Sequence, residues 1–182
     1  ARERALVAET FGIEDDAPVA CEPFRQWVME DNFPQGRPQL ETVGVEFVAD
    51  VAPFETMKLR ILNAGHAALA YPSALLGHVY VHDAMADPLI RDWLVALMRS
   101  EVIPVLEPIP GVSFEGYLAT CVQRFSNPLI GDTIARLCQD GSNRQPKFVL
   151  PTIANALGKG LTVDGLAMEL ALWCRYCAQT AN

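Results

Sequence analysis

At Pro53 the sequence changes character: long helical patterns replace the short apolar runs that precede it. Pro53-Phe-Glu-Thr-Met-Lys58 opens the change with a proline and an early acid, residues suited to a helix start. Apolar residues then recur at Leu59, Ile61, Leu62, Ala67, Leu69 and Ala70 up to Pro72. The pattern predicts further helices over about 73–82, 87–103, 113–126, 130–138, 147–157 and 163–179. Everything from Pro53 onward is therefore expected to be all-helical.

The residues before Pro53 are different. Asp15-Asp-Ala-Pro18, Phe24-Arg-Gln-Trp-Val-Met29 and Asn32-Phe-Pro34-Gln-Gly36-Arg-Pro38 mix short apolar runs with breakers, and Val43-Gly-Val-Glu-Phe-Val48 alternates like a strand. This segment has too few apolar elements for a core of its own. It reads as the end of a larger unit, and with Ala1-Arg-Glu-Arg as the start of the chain the expectation is a piece of a longer protein.

The 182 residues suit one domain, or one domain with part of another. A hydrophobic fraction of 51% and a charged fraction of 20% exclude a disordered chain. No apolar run approaches the roughly 20 residues of a membrane span, so a membrane partner is not expected. A net charge of -8, with lysines and arginines scattered, argues against a nucleic-acid partner, which would require a concentrated basic surface. The five cysteines (Cys21, Cys121, Cys138, Cys174 and Cys177) are odd in number, and no stretch reads as a secretory leader. A disulfide framework is not expected, and a reducing cytoplasm fits best.

Lys58-Leu-Arg-Ile-Leu-Asn63-Ala-Gly-His66 sets an amine, an amide and an imidazole along one helix. At about 100° per residue, Asn63 lies roughly 140° around the axis from Lys58, and His66 roughly 80°. Asn63 and His66 are then neighbours, with Lys58 able to reach them along its stem. Such a set can take a proton from a hydroxyl and steady the oxygen left behind. To act as a base, Lys58 would have to be neutral, through burial or a neighbouring cation such as Arg60, Arg136 or Arg144. The alternatives are an ordinary surface lysine, an Asn63 held by protein groups, and a His66 hydrogen-bonded in the core, with Gly65 admitting a ligand or another helix.

Other candidates carry less. His78 and His82 stand four apart, a spacing that can share a metal on a helix, but the glutamate of H-E-x-x-H is missing, so no metal is expected. Cys174-Arg-Tyr-Cys177 lies in an apolar helical run and reads as two core thiols. Arg136-Leu-Cys-Gln-Asp140-Gly-Ser-Asn-Arg144-Gln-Pro-Lys147 reads as a polar connection that either points arginines at a polyhydroxylated or anionic ligand or is simply solvated. No G-x-G-x-x-G run is present to cradle a pyrophosphate.

Taken together, these residues resemble the polyol-specific long-chain dehydrogenases and reductases, the mannitol 2-dehydrogenase and fructuronate reductase family. The likeness rests on Glu30-Asp-Asn-Phe-Pro-Gln-Gly-Arg-Pro38, on the K-x-x-x-x-N-x-x-H spacing of Lys58 to His66, on Arg124-Phe-Ser-Asn-Pro128, and on Asp140-Gly-Ser-Asn-Arg-Gln-Pro-Lys147. It implies a mainly α fold: an all-helical substrate domain over 53–182, like the C-terminal part of 6-phosphogluconate dehydrogenase, preceded over 1–52 by a short α/β remnant of a Rossmann-type nucleotide-binding domain. It further implies NAD held mainly by a part outside this chain, no metal, and a polyol or sugar acid in the cleft between the two parts. By the same resemblance Lys58 is the general base, Asn63 a donor to the developing alkoxide, His66 an orienter of substrate hydroxyls, and Arg136 and Arg144 substrate contacts. Family members are often monomeric; the sequence itself leaves the oligomeric state open, as it does D-mannitol against fructuronate or D-mannonate and NAD against NADP. The reading from a different class is a helical binding module in which Lys58, Asn63 and His66 form only a structural network.

Overall fold

A computed structural model describes residues 2–19 and 21–180. A helix, α1 (Arg2–Phe11), comes first, followed by two short strands, β1 (Trp27–Glu30) and β2 (Val45–Val48). The strands pair in parallel, Trp27 opposite Val45 and Glu30 opposite Val48, and so need a crossover between them. Arg37 holds that crossover: it bonds Asp31 at 2.8 Å and Glu41 at 2.7 Å, and lies 3.4 Å from the Phe47 ring centroid. Phe33 meets the same ring edge-on at 5.9 Å. Much of the Glu30–Pro38 motif is thus spent on closing a turn.

The remaining elements are helical: α2 (Ala52–Met57), α3 (Ala64–Leu75), α4 (Val81–Ala86), α5 (Pro88–Leu97), α6 (Phe114–Phe125), α7 (Ile134–Leu137), α8 (Gly141–Phe148), α9 (Leu150–Gly158) and α10 (Asp164–Thr180). A π-helical turn over Lys58–Asn63 joins α2 to α3 without a break, making one rod from Ala52 to Leu75. A second π turn, Met98–Val102, extends α5 and touches the first. Pro72 does not end the rod, which runs on to Leu75 before Gly77 turns the chain in the left-handed region (φ 86°). Residues 78–80 are consequently outside any helix, and the helix expected over 73–82 is not formed. Helix α1, which the sequence reading did not anticipate, has no buried residue and only weak amphipathic patterning.

The core is built around α3. Its small residues Ala64, Gly65, Ala67, Ala68 and Ala70 are buried and let α5, α7, α8 and α10 approach closely. At Gly141 the approach is tightest: a Cβ there would stand 2.4 Å from Trp173 Nε1 and 2.7 Å from Tyr71 Oη, so α8 starts where only glycine fits. No helix among the described residues is long and apolar enough to cross a membrane.

Two buried carboxyls shape this core. Glu101 accepts from the backbone amides of Gly165 at 2.8 Å and Leu166 at 2.9 Å, fixing the first turn of α10 to the extension of α5. Glu169, one turn further along α10, is fully buried and accepts at 2.6 Å from Gln145 Nε2. Burial pushes its carboxyl up to about 7, against the opposing pull of that hydrogen bond. Glu169 Oε2 and Gln145 Oε1 are both buried without a partner among the described residues. A protonated Glu169 turns one of these two acceptors into a donor, which is the arrangement burial favours.

A carboxyl raised in the folded state contributes its stability below the unfolded value of about 4.5 and loses it as pH rises through 7. We expect Glu169→Gln, compared with the wild type by chemical denaturation, to gain about 3 kcal/mol in relative stability between pH 4.5 and pH 8. A pH-independent difference between the two proteins would contradict a neutral buried Glu169.

Candidate functional site

The rod from Ala52 to Leu75 carries Lys58, Asn63 and His66, and its π turn changes their relation. An i→i+5 bonding pattern brings residues five apart nearer to one face than an α turn does, so the roughly 140° separation of an ideal α-helix between Lys58 and Asn63 is reduced. Lys58 is exposed and Asn63 half-buried. Among the described residues neither side chain has a hydrogen-bond partner, which leaves an amine and an amide free for something outside this chain. Leu62 and His66, four and eight residues after Lys58, continue the stripe into a pocket.

That pocket has a volume of about 220 Å³. Leu62 and His66 form one wall, Val81 and His82 of α4 another, and Arg124, Phe125 and Asn127 at the end of α6 a third. Ile130 and Asp132 of the segment leading into α7 and Arg136 within α7 close it, and Glu22 reaches in from the stretch before β1. The size suits a small ligand rather than a drug-sized one, whose sites run to about 300–1,000 Å³.

The His66 ring lies against Phe125, centroids 4.3 Å apart. Burial brings its imidazole down to about 4; Asp132 pulls the other way, while Arg136, Arg144 and Arg124 add to the lowering. His66 is therefore neutral at physiological pH, with one ring nitrogen able to donate and the other to accept.

Both arginines of the pocket are paired. Arg136 Nε bonds Asp132 Oδ1 at 2.5 Å and its Nη2 also donates to Asp132 Oδ2. Burial alone would raise the Asp132 carboxyl, but the hydrogen bond and charge of the Arg136 guanidinium outweigh it and hold it below the ordinary range. Arg124 bonds Glu22 through Nε at 3.0 Å and Nη2 at 2.9 Å, and stands 4.5 Å over the Phe24 ring. Two guanidinium charges thus face two carboxylates, and the wall is formally neutral.

Of the residues the sequence points to, the structure brings His66 and Arg136 into this pocket, with Lys58 and Asn63 on the same rod. Arg144 does not line it. The 136–147 stretch is not an open connection but mostly helix α8, and Arg144 donates at 2.5 Å to the Leu137 carbonyl at the end of α7. Arg60, offered as a cation near Lys58, faces Asn155 instead; with that amide turned oxygen-inward, Nη2 and Nη1 donate to it at 2.9 and 3.0 Å. Cys174 and Cys177 are exposed rather than in the core, because Leu166 and Glu169, backed by Trp173 and Tyr176, occupy the inner side of α10.

His78 and His82 do not share a helix face. His78 precedes α4 and lies 3.4 Å from Asp87, whereas His82 lies 3.5 Å from Asp83 and stacks on Tyr80 at 5.3 Å. Among the described residues no three His, Cys, Asp or Glu side chains gather as metal ligands. The turn from β2 into α2 does not suit a pyrophosphate either. The link from β2 to α2 is Ala49-Asp50-Val51 without glycine, and Asp50 Oδ1 accepts from Ala52 N at 2.9 Å, placing a carboxylate where a pyrophosphate would need to sit.

Glu22 and Asp132 line the pocket without having been singled out by sequence, and His82, weighed there only as a metal ligand, lines it as well. Arg124 and Asn127 at least fall inside the Arg124–Pro128 motif, but Glu22 is separated from Arg124 by 102 residues and nothing local marks it.

The Mannitol dehydrogenase C-terminal domain family model matches residues 50–182. A Mannitol 2-dehydrogenase of Cereibacter sphaeroides is 53% identical over 99% of this chain and 38% of its own length. A mannitol dehydrogenase of Saccharomyces cerevisiae is 51% identical over 96% of the chain and 35% of its own. Among solved structures, Pseudomonas fluorescens mannitol 2-dehydrogenase, in ternary complex with NAD and D-mannitol, matches with a TM-score of 0.85 and 44% identity, covering 96% of this chain and 36% of that one. A D-sorbitol dehydrogenase in substrate-free form matches with a TM-score of 0.89 and 35% identity. The chain spans a little over a third of the length of these relatives.

The environment of His66 is open to direct measurement. In a proton NMR titration we expect its ring resonance to shift with a midpoint near 4. A midpoint at the ordinary value of about 6.5 would show that the ring is not buried against Phe125.

Proposed function

The chain belongs to the mannitol dehydrogenase C-terminal domain family, and from that premise we propose that it supplies the substrate side of an NAD-dependent polyol dehydrogenase. The reaction is oxidation of the C2 hydroxyl of D-mannitol to give D-fructose. The observation that carries this reading is the placement of a neutral His66, in a small polar pocket, on the same helical rod as Lys58 and Asn63.

In this reading Lys58 removes the hydroxyl proton as the C2 hydride departs. Asn63 donates to the alkoxide oxygen that develops, and His66 orients neighbouring hydroxyls through its two ring nitrogens. Arg136, fixed by Asp132, offers its remaining N–H groups to substrate oxygens, while Arg144 supports the pocket from behind through the end of α7. NAD, which would take the hydride, would be held by the rest of the protein, since the Asp50-capped turn from β2 into α2 does not suit its pyrophosphate. No metal takes part. The neutral balance of the pocket favours an uncharged polyol over a sugar acid such as D-mannonate.

Residues 1–52 are read as the last part of the nucleotide-binding domain and 53–182 as the substrate domain. Support comes from the exposed apolar residues of the first part, Phe11 at 69% and Trp27 at 60%, and from its two-stranded parallel sheet. Parallel sheets are ordinarily covered on both faces, so more protein is expected against this one. Lys58, exposed in this chain, is read as likewise taken out of water by the rest of the protein. A protein acting as a monomer in the cytoplasm, with a polyol as its partner and no membrane or nucleic acid, is consistent with this assignment.

The test is turnover by the intact protein. Lys58→Ala should lower the rate of NADH formation from D-mannitol by about 100- to 10,000-fold while leaving the thermal unfolding midpoint largely unchanged. Normal activity in that variant would remove Lys58 from the role of base. Dialysis against a chelator should leave the wild-type rate unchanged, and a loss restored by zinc would contradict the metal-independent reading.

A further inference from the structure

Arg124 is the pocket cation whose charge is answered from the farthest away. Asp132, which answers Arg136, is tied into its own loop: its Oδ1 accepts from Thr133 N at 2.9 Å and its carbonyl from Val81 N at 3.0 Å. Glu22 has no such second task. Its carboxylate takes both Arg124 Nε, at 3.2 Å to Oε1 and 3.0 Å to Oε2, and Nη2, at 2.9 Å to Oε2. Among the described residues these bonds to Arg124 are all that the Glu22 side chain makes.

The pair is partly withdrawn from solvent, with Arg124 and Glu22 side chains 27% and 21% exposed, and both line the pocket that holds His66 and Arg136. In such a place a carboxylate on a guanidinium resists displacement by an incoming carboxylate, which would also meet the like charge of Glu22. Arg124 does not depend on Glu22 alone for its position, because Phe24 lies beneath its guanidinium at 4.5 Å. With the Glu22 charge removed, an unneutralised guanidinium would still face the cavity.

We infer that Glu22 is a specificity-determining residue, whose carboxylate occupies the place at Arg124 that the carboxylate of a sugar acid would otherwise take. The inference rests on the polyol reading above and deepens it. The chain selects neutral polyols by carrying its own counter-charge, and the residue that does so comes from the segment before β1 rather than from the helices that hold Lys58, Asn63 and His66.

The experiment uses the intact protein as wild type, Glu22→Gln and Glu22→Ala, with D-mannitol and D-mannonate as probes. Two readouts are taken: kcat/KM for each probe, and the dissociation constant of D-mannonate by titration calorimetry. We expect both variants to bind D-mannonate at least about tenfold more tightly than the wild type, with the gain shrinking as salt is raised. The ratio of D-mannonate to D-mannitol in kcat/KM should rise by a similar factor. Unchanged D-mannonate binding, or an equal loss for both probes, would overturn the inference. If the wild type oxidises no polyol, the proposed function fails, and the calorimetric comparison still decides whether Glu22 guards Arg124 against a carboxylate.

Discussion

Everything that the candidate site contributes depends on one backbone feature, the π turn that joins α2 to α3. A turn bonded i→i+5 is unfavourable in isolation and persists only where packing holds it. Here the packing is dense on one side: Met57 and Ile61 are buried to about 1% exposure and α3 beyond them is buried nearly throughout. The opposite side of the turn is left with Lys58 outward and Asn63 half-buried. The second π turn, over Met98–Val102, packs against the first, so the irregular backbone of the two elements is accommodated together. Glu101, which belongs to this second turn, ties α10 to it. One core thus sets the rod, and the rod sets the spacing of the amine, the amide and the imidazole.

The pocket beside the rod is governed by electrostatics as much as by shape. His66 is kept neutral by burial and by three arginines, and two of those arginines are themselves neutralised by Asp132 and Glu22. The outcome is a cavity rich in hydrogen-bonding groups with no net formal charge, suited to a ligand made of hydroxyls. Lys58 stands outside this balance: it is exposed among the described residues, and it becomes a candidate base only when another part of the protein removes it from water.

Much of this was legible in the sequence and part of it was not, for physical reasons. The helical character after Pro53 was readable because long amphipathic patterns survive without tertiary information, and α6 and α10 fall close to their expected spans. The end of the rod was misplaced because Pro72 looks like a stop, whereas the stop is Gly77 with its left-handed backbone. The π turn left no signature, since apolar spacings of 3.6 and of four to five residues cannot be told apart over a single turn. Lys58, Asn63 and His66 could be picked out as candidates because their spacing is local. Glu22 and Asp132 were not, because a carboxylate that answers a distant guanidinium is an ordinary acid in its own neighbourhood. Arg144 shows the reverse: its sequence setting suggests a ligand contact, and the fold turns it toward the carbonyls of Leu137 and Gln139.

The central claim is that the rod presents Lys58, Asn63 and His66 to a single hydroxylated ligand. A crystal structure of the intact protein with D-mannitol bound tests it most directly. The hydroxyl oxygens of one mannitol molecule are expected within hydrogen-bond reach, about 2.6–3.2 Å, of all three side chains, with Lys58 no longer exposed. Mannitol bound away from this rod, or Lys58 still in solvent with the ligand in place, would contradict it.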